Sequence, residues 1–214
     1  MLKPFLLRIL RAPLALGLLL AVLGASASAP APGILVLGDS ISAAYGMSLE
    51  QGWVALLERQ LAESHPNSRV VNASISGETS GGGLRRLPAL LEEHQPQLVI
   101  IELGGNDGLR GYPINKFRDN LRQMATLSKD AGASVLFLAM EIPPNYGSRY
   151  TSAFRDSFTV VAEETDSVVG PFLLDGVATE PGMMQADGIH PTATAQPRLL
   201  QNVLPTLRDM LSAP

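Results

Sequence analysis

The sequence predicts an α/β fold in which a mostly parallel sheet is covered by helices on both sides. Two observations carry this. Short runs that are apolar on both faces recur along the chain, the pattern of strands buried from both sides. Longer stretches with apolar residues at helical spacing separate them, which calls for crossover helices.

Ile34 to Leu37 reads as the first strand, and Trp53 to Glu63 as a helix presenting Trp53, Leu56, Leu57 and Leu61 on one face. Val70-Val71 opens a second strand that ends near Asn72. Helical spacing of Leu84, Leu87 and Leu91 marks a stretch from Thr79 to His94, which Pro88 is expected to break or reset into two short helices. Leu98 to Leu103 is the clearest strand, followed by a helix from Asn115 to Asp130 and a fourth strand from Val135 to Leu138. A helix from Tyr150 to Glu164 leads to a weaker fifth strand, Val168 to Leu174, interrupted by Pro171. A closing helix runs from Thr194 to Leu211, with Pro197 and Pro205 leaving its bounds open.

The first residues stand apart from this pattern. Lys3, Arg8 and Arg11 precede the apolar run Leu14 to Leu23, and small residues with an A-x-A site ending at Ala27 follow. That order reads as a secretory signal over residues 1–27, leaving 28–214 as one domain. The alternative is an uncleaved anchor, but the run is well short of the ~20 residues a span needs. Removing the signal takes away three positive charges and no negative ones, deepening the formal net charge from −4 to −7. An acidic chain without a basic cluster has no electrostatic footprint for nucleic acid. With no cysteine in the sequence, disulfides, a thiolate nucleophile and thiolate-bound zinc are excluded.

In open α/β sheets, sites form beyond the carboxyl ends of the strands. Gly38-Asp39-Ser40 stands there after the first strand, although alone it is also ordinary turn and cap chemistry. Asp187-Gly-Ile-His190-Pro191 supplies what a serine nucleophile needs. A hydroxyl becomes reactive when a base takes its proton and a third group orients that base. An Asp three residues before a His can fold back on Nδ1 and leave Nε2 facing Ser40. The rival readings of His190 are a satisfied loop histidine or a metal ligand with Asp187. No second His or Cys is offered nearby for a metal, and His65 and His94 sit in polar helix ends where solvation is expected. Leu103-Gly-Gly-Asn106-Asp107 offers an Asn donor for an oxyanion, and Asn72 to Thr79 carries Gly77, whose bare N–H can face the same space. Read separately, both segments are also plain strand-to-helix turns.

Taken in order, Gly38-Asp39-Ser40, Gly77, Gly104-Gly105-Asn106-Asp107 and Asp187-Gly-Ile-His190 resemble the four blocks of the GDSL, or SGNH, hydrolases. Val71 to Gly77, Arg86 to Leu91, Glu102 to Gly111 and Asn145-Tyr-Gly147 are similar to the bacterial periplasmic thioesterase I, lysophospholipase L1 and arylesterase group, and the likeness extends over nearly all of residues 28–214. The resemblance implies a flavodoxin-like three-layer α/β/α fold on a mostly five-stranded parallel sheet. It implies Ser40 as nucleophile, His190 as base and Asp187 as its orienter, with the oxyanion held by the N–H groups of Ser40 and Gly77 and the Asn106 side chain. It makes Asp107 to Tyr112 a mobile loop over bound acyl chains, and Leu109 with Asn145 and Tyr146 of the Pro143–Tyr146 segment the lining of the acyl channel. Glu141 departs from the group's usual residue; a carboxylate facing the pocket would disfavour anionic substrates, and one pointing to solvent would not.

The expected activity is hydrolysis of carboxylic esters and thioesters through an acyl-enzyme. The expected enzyme is monomeric, free of metal and cofactor, and periplasmic or secreted, acting on a small-molecule ester, thioester or lysolipid without nucleic acid or stable membrane insertion. Other readings are weaker on the residues. An α/β-hydrolase elbow G-x-S-x-G is missing, and Gly105-x-x-Gly108-x-x-Gly111 has the wrong spacing for a nucleotide loop. A carbohydrate O-acetylesterase of the same fold is a rival, mildly disfavoured by an aromatic content of 5%. A non-catalytic binding protein is the rival from a different class, and it would lack one of the catalytic residues.

Overall fold

The computed structural model describes residues 33–66 and 68–212. The expected signal over residues 1–27 lies outside these. Five parallel strands form one sheet: β1 (Gly33–Gly38), β2 (Arg69–Asn72), β3 (Leu98–Glu102), β4 (Ser134–Leu138) and β5 (Val168–Gly170), in the order β2-β1-β3-β4-β5. β1 and β3 are buried almost end to end, whereas β2 at the edge is only half-buried. Six helices accompany them: α1 (Trp53–Ser64), α2 (Ser80–His94), α3 (Gly105–Leu109), α4 (Ile114–Asp130), α5 (Ser148–Thr165) and α6 (Gln196–Ser212). α1 packs beside α6, while α2, α4 and α5 pack side by side, so the expected three-layer arrangement is present. Phe117, Phe154 and Phe158 anchor the α4–α5 layer, with rings 4.9 to 5.8 Å apart in stacked and edge-on contact. Such pairs add about 0.5–1.5 kcal/mol beyond burial.

Strand order reverses between β1 and β3, because β2 lies on one side of β1 and all later strands on the other. The crevice at such a switch point is where ligands bind. The segments that leave these two strands are Asp39-Ser40 and Leu103 to Asn106.

The elements differ from expectation in four places. Pro88 lies inside one continuous helix, α2. It is exposed, and the helix continues through it although proline has no N–H to donate to the Leu84 carbonyl. β5 ends at Gly170 rather than Leu174, because Pro171 has no N–H to continue the ladder. The expected loop from Asp107 to Tyr112 begins as the last turn of α3, and only residues 110–113 connect to α4. His94 is not solvated: its side chain is 12% exposed, near Glu93. Among the described residues no helix is long and apolar enough to cross a membrane.

Candidate active site

Ser40, at the carboxyl end of β1, is 8% exposed. His190 Nε2 lies 2.9 Å from Ser40 Oγ, and His190 Nδ1 lies 2.7 Å from Asp187 Oδ2. The other carboxylate oxygen of Asp187 accepts the N–H groups of Ile189 and His190 at 2.9 and 3.0 Å. The bond from His190 Nδ1, followed by these two N–H bonds, holds the Asp187 carboxyl at a pKa of about 2. An ionised carboxylate only accepts, so Nδ1 carries the proton in neutral imidazole, and Nε2 is left to accept from the serine hydroxyl. The local chain makes this arrangement. Gly188 turns in the left-handed region, and Gln185 N–H donates to the His190 carbonyl at 2.7 Å, closing a tight loop around the Asp–His pair.

Gly77 and Asn106 converge on the same crevice from the loops after β2 and β3. Gly77 adopts φ +79°, a conformation costly to residues with a Cβ. Arg110 spans the two loops, donating to the Gly77 carbonyl at 3.3 Å and to Asn106 Oδ1 at 3.4 Å. Asn106 Nδ2 donates to Asp39 Oδ2 at 3.2 Å, which fixes the amide orientation and leaves its second hydrogen free. Among the described residues the N–H groups of Ser40 and Gly77 have no protein acceptor. Gly104, at φ +127°, lets this loop pass above the aromatic cluster; a Cβ there would lie 2.7 Å from the Phe117 ring. Asp107 ties the loop to α2 by accepting from Ser80 N–H and Oγ at 2.8 and 2.6 Å.

Beside Ser40 a cavity of about 400 Å³ is lined by Ile41, Leu109, Met140, Ile142, Phe172 and Met184, among others. Leu109 and the Pro143-Pro144 pair are part of this wall; Asn145 and Tyr146 are not. Tyr146 instead holds α3 from behind, its hydroxyl donating to the Leu109 carbonyl at 2.8 Å. Glu141 does line the cavity, 3.7 Å from the exposed Arg155.

Three parts of the site were not read from the sequence as functional. Asp39, treated there as turn chemistry, orients Asn106. Tyr45 lies on the His190 ring, which nothing in the sequence signals. Glu102 is fully buried at the end of β3; a lone acid in an otherwise apolar strand was the available signal. Its Oε2 accepts from Asp39 N–H at 3.2 Å and Ser42 Oγ at 2.6 Å, and Ser42 accepts in turn from Trp53 Nε1 at 3.1 Å. Glu102 Oε1 has no protein partner among the described residues.

Burial, reinforced by the neighbouring Asp39 charge, raises the Glu102 pKa well above the carboxylate range. Burial also lifts Asp39, but only to about 6, because Ile41 N–H, Asn106 and His190 favour its charge. Within the pair, burial therefore favours the neutral acid more strongly at Glu102 than at Asp39. A group whose folded pKa is raised stabilises the fold below its unfolded value, and this stability is lost as pH rises through the folded value. Glu102→Gln keeps the acceptor and replaces the acid O–H with an amide donor. Its melting temperature relative to wild type should climb as pH rises above the ordinary value of 4.5. A pH-independent difference between the two melting curves would show that Glu102 does not fold as the neutral acid.

Comparison with known proteins gives the same frame. The chain is 56% identical over 183 residues to Esterase TesA of Pseudomonas aeruginosa, covering 86% of this chain and 91% of that one. It is 47% identical over 170 residues to Thioesterase 1/protease 1/lysophospholipase L1 of Escherichia coli K12, covering 79% and 80%. The crystal structure of psychrotrophic esterase EstA from Pseudoalteromonas sp., inhibited by monoethylphosphonate, superposes with a TM-score of 0.80 at 44% identity, covering 85% of this chain and 99% of that one. Residues 36–196 match the GDSL-like lipase/acylhydrolase family from the first strand to the start of the last helix, and the chain belongs to that family.

Proposed function

We propose that this chain is a serine ester and thioester hydrolase working through an acyl-enzyme on Ser40. The observation that carries the reading is the unbroken chain from Ser40 Oγ to His190 Nε2 at 2.9 Å and from His190 Nδ1 to Asp187 at 2.7 Å. Ser40 Oγ attacks the acyl carbon while His190 Nε2 takes its proton. The oxyanion so formed is held by the Ser40 and Gly77 N–H groups and the free Asn106 hydrogen. One such donor typically contributes ~3 kcal/mol in the transition state. The imidazolium then protonates the departing alcohol or thiol as its bond to carbon breaks. Water, deprotonated by the same nitrogen, then attacks the acyl carbon; as the bond to Ser40 Oγ breaks, that oxygen takes the proton from His190 and the acid leaves.

The relatives' names span esterase, thioesterase and lysophospholipase, and acyl transfer is the same chemistry in each. The apolar cavity wall of Ile41, Leu109, Met140 and Phe172 favours an acyl chain over an acetylated sugar. Leu109 belongs to this subsite, while Tyr146 supports it from outside through the Leu109 carbonyl. No metal or cofactor takes part in these steps. The Lys-Arg-then-apolar leader fits release into the periplasm or medium.

The test is intact-mass analysis after treatment with a fluorophosphonate. Wild type should gain one adduct and Ser40→Ala none. No adduct on folded wild type would favour a binding protein of the same fold.

A further inference from the structure

The ring centroids of Tyr45 and His190 are 4.3 Å apart with planes inclined by 32°. Core packing does not account for this placement, because Tyr45 is 49% exposed. Its hydroxyl does not account for it either: among the described residues that oxygen has no hydrogen-bond partner. The backbone beneath the ring is nevertheless held with care. Ala44 sits at φ 55°, a left-handed conformation that disfavours any residue with a Cβ, and such outliers persist where surrounding contacts enforce them. Tyr45 N–H donates to the Ser40 carbonyl at 3.0 Å. The Gln185 amide nitrogen donates to the Tyr45 carbonyl at 2.8 Å and to the Pro191 carbonyl at 3.0 Å. One side chain thus bridges the backbones that carry the tyrosine and the histidine.

We propose that Tyr45 is a positioning residue for the base: its ring face fixes the imidazole toward Ser40 and favours the imidazolium of the transition state. This rests on the assignment of His190 as base. The face of an aromatic ring is electron-rich and attracts a cation within about 6 Å of its centroid. In the proposed step His190 becomes a cation when it takes the serine proton. The interaction is therefore stronger in the transition state than with substrate merely bound, which is the condition for raising kcat.

The test measures kcat and KM on p-nitrophenyl butyrate for wild type, Tyr45→Phe, Tyr45→Leu and a protein with pentafluorophenylalanine in place of Tyr45. Phenylalanine keeps the ring face and should stay within about two-fold of wild type. Leucine and the fluorinated ring, whose face is no longer electron-rich, should each lower kcat by about five-fold at unchanged KM. Wild-type kcat with the fluorinated ring would overturn the proposal. A loss as large in Tyr45→Phe would also overturn it by pointing to the hydroxyl, and a change confined to KM would point to substrate contact instead. If leucine disturbs the fold, the phenylalanine and fluorinated pair decides. His190→Ala is assayed alongside: activity surviving there would sink the assignment of the base itself, whereas its loss beside unaffected Tyr45 variants would sink only the role of the ring.

Discussion

With His190 replaced by alanine, kcat on a soluble p-nitrophenyl ester is expected to fall by about 10⁶-fold, close to what removing a whole triad costs. The reason is that among the described residues Ser40 Oγ has no second basic partner beside His190. The nearest other carboxylate in sequence is Asp39, whose two oxygens are committed to Ile41 N–H at 3.0 Å and Asn106 Nδ2 at 3.2 Å. Glu102 lies beneath the loop, bonded to Asp39 N–H and Ser42. Neither can reach in to take the proton that His190 would have taken. Residual catalysis of about 10³–10⁴ over water should survive, because oxyanion donors act without the base. Steady-state assays on protein purified free of wild-type enzyme, with circular dichroism to establish folding, measure this. A fall of less than ten-fold would remove His190 from the mechanism.

Asp187→Asn is expected to lower kcat by about 10⁴-fold at unchanged fold, the size seen when an imidazole is held in the wrong tautomer. The two sides of the Asp187 carboxylate both face donors: Oδ2 faces Nδ1–H, and Oδ1 faces the N–H groups of Ile189 and His190. An asparagine amide can satisfy one side only. If its oxygen takes the backbone pair, its NH₂ faces Nδ1 and drives the proton to Nε2, where it can no longer accept from Ser40. If its oxygen takes Nδ1–H, the NH₂ meets two backbone donors and the loop must open. Asp187→Glu keeps the charge but lengthens the arm, so it should recover only part of the loss. Near-wild-type kcat in Asp187→Asn would mean that the imidazole is oriented by other contacts, Tyr45 first among them.

Much of this site was legible because its parts are local in sequence. Asp187 and His190 are separated by three positions, and Ser40, Gly77 and Asn106 each stand just beyond an apolar run. A strand's end is where a parallel sheet delivers its loops, so locating the strands placed the loops that carry these candidate residues. The same logic fails for contacts made across the fold. Tyr45 meets His190, and Gln185 reaches the Tyr45 carbonyl, over sequence separations that no periodicity encodes. Asn145 and Tyr146 were placed in the acyl wall on sequence likeness, yet the chain turns there so that Pro143 and Pro144 face the cavity. Pro88 stays inside α2 for a different reason: a helix held on both sides of a proline by packing can tolerate one missing hydrogen bond, and packing is a property of the folded molecule.

The closed turn from Gln185 to His190 has a mechanical corollary. His190 and Asp187, the proposed base and its orienter, sit on one turn, braced internally by the Asp187 carboxylate and by the Gln185 N–H bond to the His190 carbonyl. Displacing that turn leaves the pair intact and alters a single coordinate, the gap between Nε2 and Ser40 Oγ. The Gln185 side chain, through the Tyr45 and Pro191 carbonyls, acts as the spring on that coordinate. Recoil of the turn to admit a bulky acyl group would therefore idle the machine without dismantling it, and re-engagement would need one distance restored.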